Sequence, residues 1–347
     1  MAFVALPDNV VLKIVKMLSF VDQNRIRRVE KRFRHFSEIA ISRTKSLEID
    51  NGTLRKLDAT LSIQLTPILD LCSNNIEQIK IGKSDDPIRS ESMISLFNVL
   101  ITYWFENLIE FELQTINPIA IAKGLDEFFQ QTPKLKKIEL GLGNIFTSTP
   151  SVLSVGPNCF TRSSSIWKLN SILSLSITRT ALFDIDLMTI ANSMNRLESL
   201  NLSSCTLGCN RGLLALSSLS NLTILKLRIY QLERDVDLDH ALCQLSSYGR
   251  MKELFIDSLI QGNTFVSFLR HCPQMIHFCA RGLIRGDLMA TPAEMLNSLC
   301  GIHERKIKVG LNYRINTTWK SESVKNALEF LKINGLEIEF YEWDGNM

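Results

Sequence analysis

Cysteine is scarce in this chain: eight in 347 residues, with no CxxC pair. That is too few for a disulfide-built scaffold, so buried free thiols in a reducing compartment are expected. Long apolar runs are missing too. The best of them, Ser92–Phe105, has 14 uncharged residues, short of the roughly 20 a spanning helix needs, which predicts a buried helix instead. Residues 140–161 also lack charge, but three glycines and two prolines exclude a spanning helix there. No secretory leader is legible, because Asp8, Lys13 and Lys16 interrupt the first 20 residues. A soluble chain of the cytoplasm and/or nucleus, with no membrane partner, is the expectation.

Histidine is equally sparse, five in all, and no HExxH, glycine-rich phosphate loop or nucleophile elbow occurs. No catalytic residue, cofactor or metal ligand is therefore predicted, and the chain is not expected to be an enzyme. What is present in quantity is apolar surface, 45% of residues, against 22% charged, the balance of a globular protein. The net charge of +3 is unevenly spread. Residues 1–45 hold ten Lys/Arg and four acids, while the remainder is net negative by three. The opening segment thus suits an acidic partner.

That segment reads as helix. Asp8 can cap a helix with apolar residues at Val10, Ile14, Met17 and Leu18, and a second stripe at Val11, Val15 and Leu18 overlaps the first. So wide an apolar surface needs one contact inside the protein and one outside. Asp22 is expected to cap a second helix carrying Ile26, Val29, Phe33 and Phe36. Some forty residues of helix bury little area alone, so a partner or the following domain must complete their core.

Residues 6–36 resemble the F-box, a helical module that docks on the Skp1 linker of a cullin ubiquitin ligase. Leu6, Pro7, Ile14, Leu18, Asp22, Ile26, Arg27, Val29, Lys31, Arg32, Phe33 and Arg34 match. Gln23, Glu30 and Phe33 stand where the family usually has Leu, a small residue and Trp; Phe33 keeps an aromatic anchor. The resemblance implies a Skp1-docking surface of Leu6, Pro7, Val10, Ile14, Leu18, Val29 and Phe33. A helical cap sealing the next domain is the alternative role, and the two are compatible.

From residue 44 a phrase returns: apolar, two others, apolar, one other, apolar. Its middle residue falls at Leu47, Ile79, Phe111, Ile138, Leu175, Leu200, Leu225, Leu254, Phe278, Ile307 and Leu336. Spacings in the twenties and thirties are those of leucine-rich repeats. The best copy runs Leu197, Leu200, Leu202, Cys205, Leu207, with Cys205 expected to turn the chain and bond backbone. The fold class predicted is α/β: an F-box at 1–45, then at 46–347 a leucine-rich-repeat solenoid of about 11 units, a curved parallel sheet with helices on its convex side. Helices are expected at Ser90–Tyr103, Ala120–Gln130, Asp186–Met194, Asp237–Ser246, Thr264–Arg270, Pro292–Cys300 and Glu322–Leu331. Residues 141–170, rich in Gly, Ser, Thr and Pro, predict a mobile loop.

Alternation then fixes what each strand exposes. Three outward rows are expected: Ile224, Glu253, His277; Lys226, Phe255, Cys279, Lys308; and Arg228, Asp257, Arg281. Ile224 and Phe255 are apolar where water should be, as interface anchors would be; shielding by Phe340–Trp343 or by the long loop is the other reading. Glu110, Glu112, Lys137 and Glu139 read as ordinary solvated charges. His271, Cys272, His277 and Cys279 form a ligand-like group by spacing, but the frame puts Cys272 under the strand and turns His277 and Cys279 outward, against a zinc site. The basic residues Arg25, Arg27, Arg28, Lys31, Arg32 and Arg34 ring their helix instead of striping it, which favours a solvated or Skp1-facing surface over nucleic acid. The resemblance, closest to divergent nematode-like F-box/leucine-rich-repeat proteins, implies a non-catalytic substrate adaptor. Its linker would be Skp1 and, through it, a cullin, with a protein target on the repeats. A repeat scaffold without ligase function is the alternative, a nucleic-acid binder a lesser one.

Overall fold

The computed structural model describes residues 6–57, 61–82, 88, 90–115, 118–142, 171–178, 181–182, 184–207, 210–232, 238–284, 292–300, 305–311 and 321–342. The chain forms two compact units, Met1–Ser171 and Ile172–Met347. The 143–170 segment, Thr180 and Trp343 lie outside the described residues.

The first unit begins with helices α1 (Asp8–Met17), α2 (Phe20–Ile26) and α3 (Lys31–Ser42). Val11 and Val15 of α1 are buried against Phe36 and Ala40 of α3, with Leu6, Leu12 and Phe33 packed on that cluster. The inner stripe of α1 is therefore the Val11/Val15 one. Two capping expectations are corrected. Pro7, not Asp8, precedes α1, and Asp8 sits in its first turn. α2 starts two residues before Asp22, and Ser19 caps it by accepting from the Asp22 amide at 3.3 Å. The single helix expected from Asp22 to Phe36 is broken, with Glu30 extended (φ −154°) ahead of α3. Arg27 holds the fold-back by its 3.0 Å bond to Glu38 on α3.

The first repeats follow: β1 (Ser46–Ile49), α4 (Asn51–Leu57), α5 (Leu61–Cys72), β2 (Gln78–Ile81), α6 (Ser90–Leu100), β3 (Glu110–Thr115), α7 (Pro118–Gln130) and β4 (Lys137–Leu142). The strands pair in parallel in chain order, with Leu47, Ile79, Phe111 and Ile138 in one register row. All four are buried, as alternation requires. Behind them Phe97, Phe105, Phe111, Phe128 and Phe129 form an aromatic core with ring centroids 4.9–5.9 Å apart. Each such contact adds about 0.5–1.5 kcal/mol beyond its area burial. Asn24 Nδ2 donates to the Gln64 carbonyl of α5 (3.1 Å), joining α2 to the first repeat.

The second unit repeats the arrangement: β5 (Ser174–Thr178), β6 (Ala181–Leu182), α8 (Asp184–Ser193), β7 (Ser199–Leu207), α9 (Asn210–Leu216), β8 (Ile224–Leu232), α10 (Leu238–Ser247), β9 (Glu253–Gln261), α11 (Gly262–His271), β10 (His277–Ile284), α12 (Pro292–Asn297), β11 (Arg305–Leu311), α13 (Glu322–Ile333) and β12 (Leu336–Glu342). Its parallel sheet follows the chain from β5 through β7 to β12, with β6 also on β7. Where each repeat begins, one carbonyl accepts two amides of the next. Glu198 O takes Thr223 N and Ile224 N, and Thr223 O takes Lys252 N and Glu253 N. Cys205 Sγ reaches Ile177 O at 3.3 Å, the backbone bond expected of that position. Asparagines make a second ladder: Asn75 Nδ2 on Ser42 O, Asn107 on Asn74 O and Asn221 on Asn195 O, at 2.7–2.8 Å.

This is the α/β leucine-rich-repeat architecture, one parallel strand per repeat with a helix returning the chain. Its last two pairings each slip two residues from the expected frame. Phe278 pairs with Val309, not Ile307, and Ile307 pairs with Ile338, not Leu336. A slip of two keeps Ile307, Val309 and Leu311 inward, so the apolar pattern is blind to it; a slip of one would have inverted the strand.

Candidate functional site

α1 presents two faces. Its Val11 and Val15 are buried, whereas the seven residues of the expected docking surface all keep exposure. Pro7 and Val29 are exposed; Leu6, Val10, Ile14, Leu18 and Phe33 are half-buried. Leu6 and Phe33 serve the inner cluster as well. Met17, at 86% exposure, extends the outer patch. Arg32 locks its foot, bonding Asp8 at 2.7 Å and the Leu6 carbonyl. Gln23 lies inside the module: its Nε2 donates to Val15 O (3.1 Å) and Leu18 O (3.0 Å), tying off the end of α1. Glu30, by contrast, is exposed beside Val29.

The outward face of the second unit's sheet carries the other candidate residues. Ile224, Glu253, His277, Lys308 and Glu339 form one register row; Lys226, Phe255, Cys279, Gly310 and Tyr341 form the next. Lys308 thus belongs beside His277 rather than Cys279, a direct result of the two-residue slip. Lys226 Nζ stands 4.9 Å from the Phe255 ring centroid, a cation–π contact. Phe255 meets His277 edge-on at 5.2 Å. Arg228 pairs with Asp257 at 3.3 Å, and Arg281 is exposed on β10.

Tyr341 completes this patch. Its hydroxyl lies 3.1 Å from His277 Nε2 and 2.8 Å from Cys279 Sγ. Gly310 makes room, since a Cβ there would stand 2.8 Å from the Tyr341 ring and 2.9 Å from Cys279 Sγ. The C-terminal segment therefore reaches the row of Phe255 but covers Cys279 and His277, leaving Phe255 and Ile224 half-exposed. Burial, opposed in part by Glu253, holds the His277 imidazole below its ordinary pKa, favouring the neutral ring. Burial also raises Cys279 and Tyr341, so neither ionises near neutrality.

No family model and no curated protein matches the chain. Among solved structures, an internalin from Listeria monocytogenes is similar at 14% identity and a TM-score of 0.43, over 79% of this chain and 82% of that one. The repeat assignment above rests on strand register and not on that likeness.

Cys272 hydrogen-bonds the Ser246 carbonyl beneath the sheet, while Cys279 faces Tyr341 on the open side, and His271 is exposed at the end of α11. Burial pushes the Cys272 thiol up to about 11. No group of His, Cys, Asp and Glu among the described residues is placed to hold a metal ion, and no helix among them is long and apolar enough to cross a membrane. Sequence reasoning named the segment that holds Tyr341 as a shield for Phe255 but missed its contacts with His277 and Cys279, and missed Gly310 altogether. Their signal was a glycine at an outward strand position with an aromatic one strand away, hidden by the wrong register. It also misjudged Glu139, which is half-buried rather than freely solvated.

Proposed function

We propose that this chain is a non-catalytic substrate-recognition adaptor of the cytoplasm and/or nucleus. In this reading the three opening helices dock on a Skp1-type linker, and through it a cullin, while the repeats hold a protein target for ubiquitin transfer. The observation that supports it is the two-faced α1: one apolar stripe is consumed inside the module, and the other stays open beside Pro7 and Val29. An apolar stripe without an internal partner is what a docking helix requires. Gln23, the most awkward departure from the F-box pattern, lies inside the module and leaves that open stripe unaltered. Tethering alone would then suffice, since a held target gains a high effective concentration near the ubiquitin-charged enzyme.

Ile224, Lys226, Arg228, Glu253, Phe255, Asp257, His277, Arg281 and Lys308 are the target-contacting residues in this reading, with Phe255 as the apolar anchor. The test is co-purification of the full chain with a Skp1-type linker, for wild type, Leu6→Ala/Pro7→Ala and Ile14→Glu/Val29→Glu. Retention of wild type and loss of both variants, with helical content unchanged by circular dichroism, supports the adaptor. Failure of wild type itself to be retained sinks it and leaves a repeat scaffold without ligase function. The exposed charge of Glu30 beside Val29 is what favours that second reading.

A further inference from the structure

Most cations at outward strand positions are already paired. Lys80 stands 3.6 Å from Glu112, Lys137 3.8 Å from Glu110 and Arg228 3.3 Å from Asp257, while Lys306 reaches both Glu337 and Glu339. Lys226 and Lys308 are not. Among the described residues neither has a carboxylate within ion-pair reach, and Lys226 has only the Phe255 ring. Lys308 lies in register with Glu339, whose carboxylate turns to Lys306 instead.

These two lysines bracket the apolar part of the patch. Across the sheet the order is Lys226 on β8, Phe255 on β9, His277 on β10 and Lys308 on β11, one outward residue per strand. The line steps back by one outward position between β9 and β10. Phe255 is held from both sides, by the Lys226 ammonium at 4.9 Å and by the His277 ring edge-on at 5.2 Å. The Tyr341 hydroxyl, 3.1 Å from Nε2, pins His277 in turn. The half-exposed ring is therefore ordered before a partner arrives, which spares part of the entropy lost on binding. Glu253 lies beside the line, between Ile224 and His277, and has no cation paired with it among the described residues. Lys226, Lys308 and Glu253 are the charges near enough to act on the His277 ring.

Three strand spacings separate Lys226 from Lys308, about 14 Å. An extended chain covers about the same distance in four residues and turns every second side chain to the same side. Two unpaired cations flanking an open aromatic ring are complementary to anions flanking an apolar group. We propose that this line receives an extended acidic segment of the protein target, with carboxylates at positions i and i+4 on Lys226 and Lys308 and an apolar side chain at i+2 over Phe255. This rests on the reading of the repeats as the target-binding part and adds to it the chemistry of the segment held. Glu253 sets a limit, because a carboxylate at i+2 would face it and be repelled, which selects against uniformly acidic chains. With Glu339 in the same row, it also disfavours a nucleic-acid backbone, charged at every residue.

Panning a displayed library of random dodecapeptides on the full chain tests it. Binders are expected to carry Asp or Glu at i and i+4 with an apolar residue at i+2 more often than the unselected library. The best binder should lose about tenfold in affinity against Lys226→Gln/Lys308→Gln, and added salt should weaken its hold on wild type, since exposed ion pairs are modest and screened. Panning on Lys226→Glu/Lys308→Glu should instead select Lys or Arg at i and i+4, an exchange that a misfolded variant cannot produce. Binders without the acidic pattern, or the same pattern after charge reversal, overturn the proposal. So does a library that yields no binder. Retention by the Skp1-type linker is read on the same proteins, and the charge reversal should leave it unaltered. Wild type that selects the acidic pattern but is not retained by the linker would sink the ligase reading and leave the segment chemistry standing.

Discussion

Replacing Gly310 by alanine inserts one methyl group into a space already filled. The new Cβ would stand 2.8 Å from both Cζ and the hydroxyl of Tyr341 and 2.9 Å from Cys279 Sγ. Cys279 is buried and fixed within β10, so Tyr341 must leave. Its hydroxyl then loses His277 Nε2 and Cys279 Sγ, and its ring loses the 5.8 Å contact with His277. Two hydrogen bonds at about 0.5–1.5 kcal/mol each, with some packing, set the loss at roughly 2–3 kcal/mol. In a unit of this size that lowers Tm by roughly 4–12 °C. Thermal and urea unfolding, followed by circular dichroism, measure it. The discriminating comparison is a double-mutant cycle with Tyr341→Ala, which alone should cost a similar amount. If displacement of Tyr341 is the whole effect, Gly310→Ala adds little once the ring is gone. Full additivity of the two substitutions would refute the reasoning and place the strain in the β11 backbone instead.

Further outcomes are expected in the second unit. His277 is held below its ordinary pKa, so between the folded and unfolded values the unfolded chain binds more protons. Its contribution is therefore full above about pH 6.5 and is lost as pH falls below that. Urea midpoints should drop from pH 7.5 to pH 5, and His277→Gln should flatten that dependence; an unchanged slope refutes it. Arg305, at the start of β11, donates to the carbonyls of Leu269 and Cys272 at the end of α11, and burial lowers its pKa. Arg305→Met should cost about 1.5–3 kcal/mol in urea unfolding, the range for hydrogen bonds from a charged donor. A neutral result would mean that water satisfies those carbonyls.

The repeating strands were legible because their pattern is local. Leu200, Leu202 and Cys205 announce one turn of the array, and period-two burial does the rest. Most of the intervening helices were legible for the same reason, but α4, α5 and α9 were not. α4 and α9 have seven residues each, too few to show a period, and in α5 Pro67 lies inside the helix and the apolar residues form no narrow stripe. The first two rows of the candidate face followed from phrase alignment as far as β10 and failed at β11; in the third, the register already shifts around Arg281. Pairing between β10 and β11 is decided by which carbonyl meets which amide, a choice that Ile307 and Val309 satisfy equally. The same limit hid the contacts of Tyr341, which depend on Gly310 being its neighbour. Glu139 was misread for a different reason. A charged residue at an outward position is solvated by default, and only three dimensions show that its cations are already engaged.

Two side chains give the opening helices a mechanical property. Asn24 grips the Gln64 carbonyl and Arg27 reaches that of Pro67, both on α5 (3.1 and 3.5 Å). A pull on α2 is thus transmitted to the first repeat by rivets rather than along a slack tether. Whatever seizes the outer flank of α1 would find β1 at a set bearing, so a spacer spliced in at residue 45 should alter aim as well as reach.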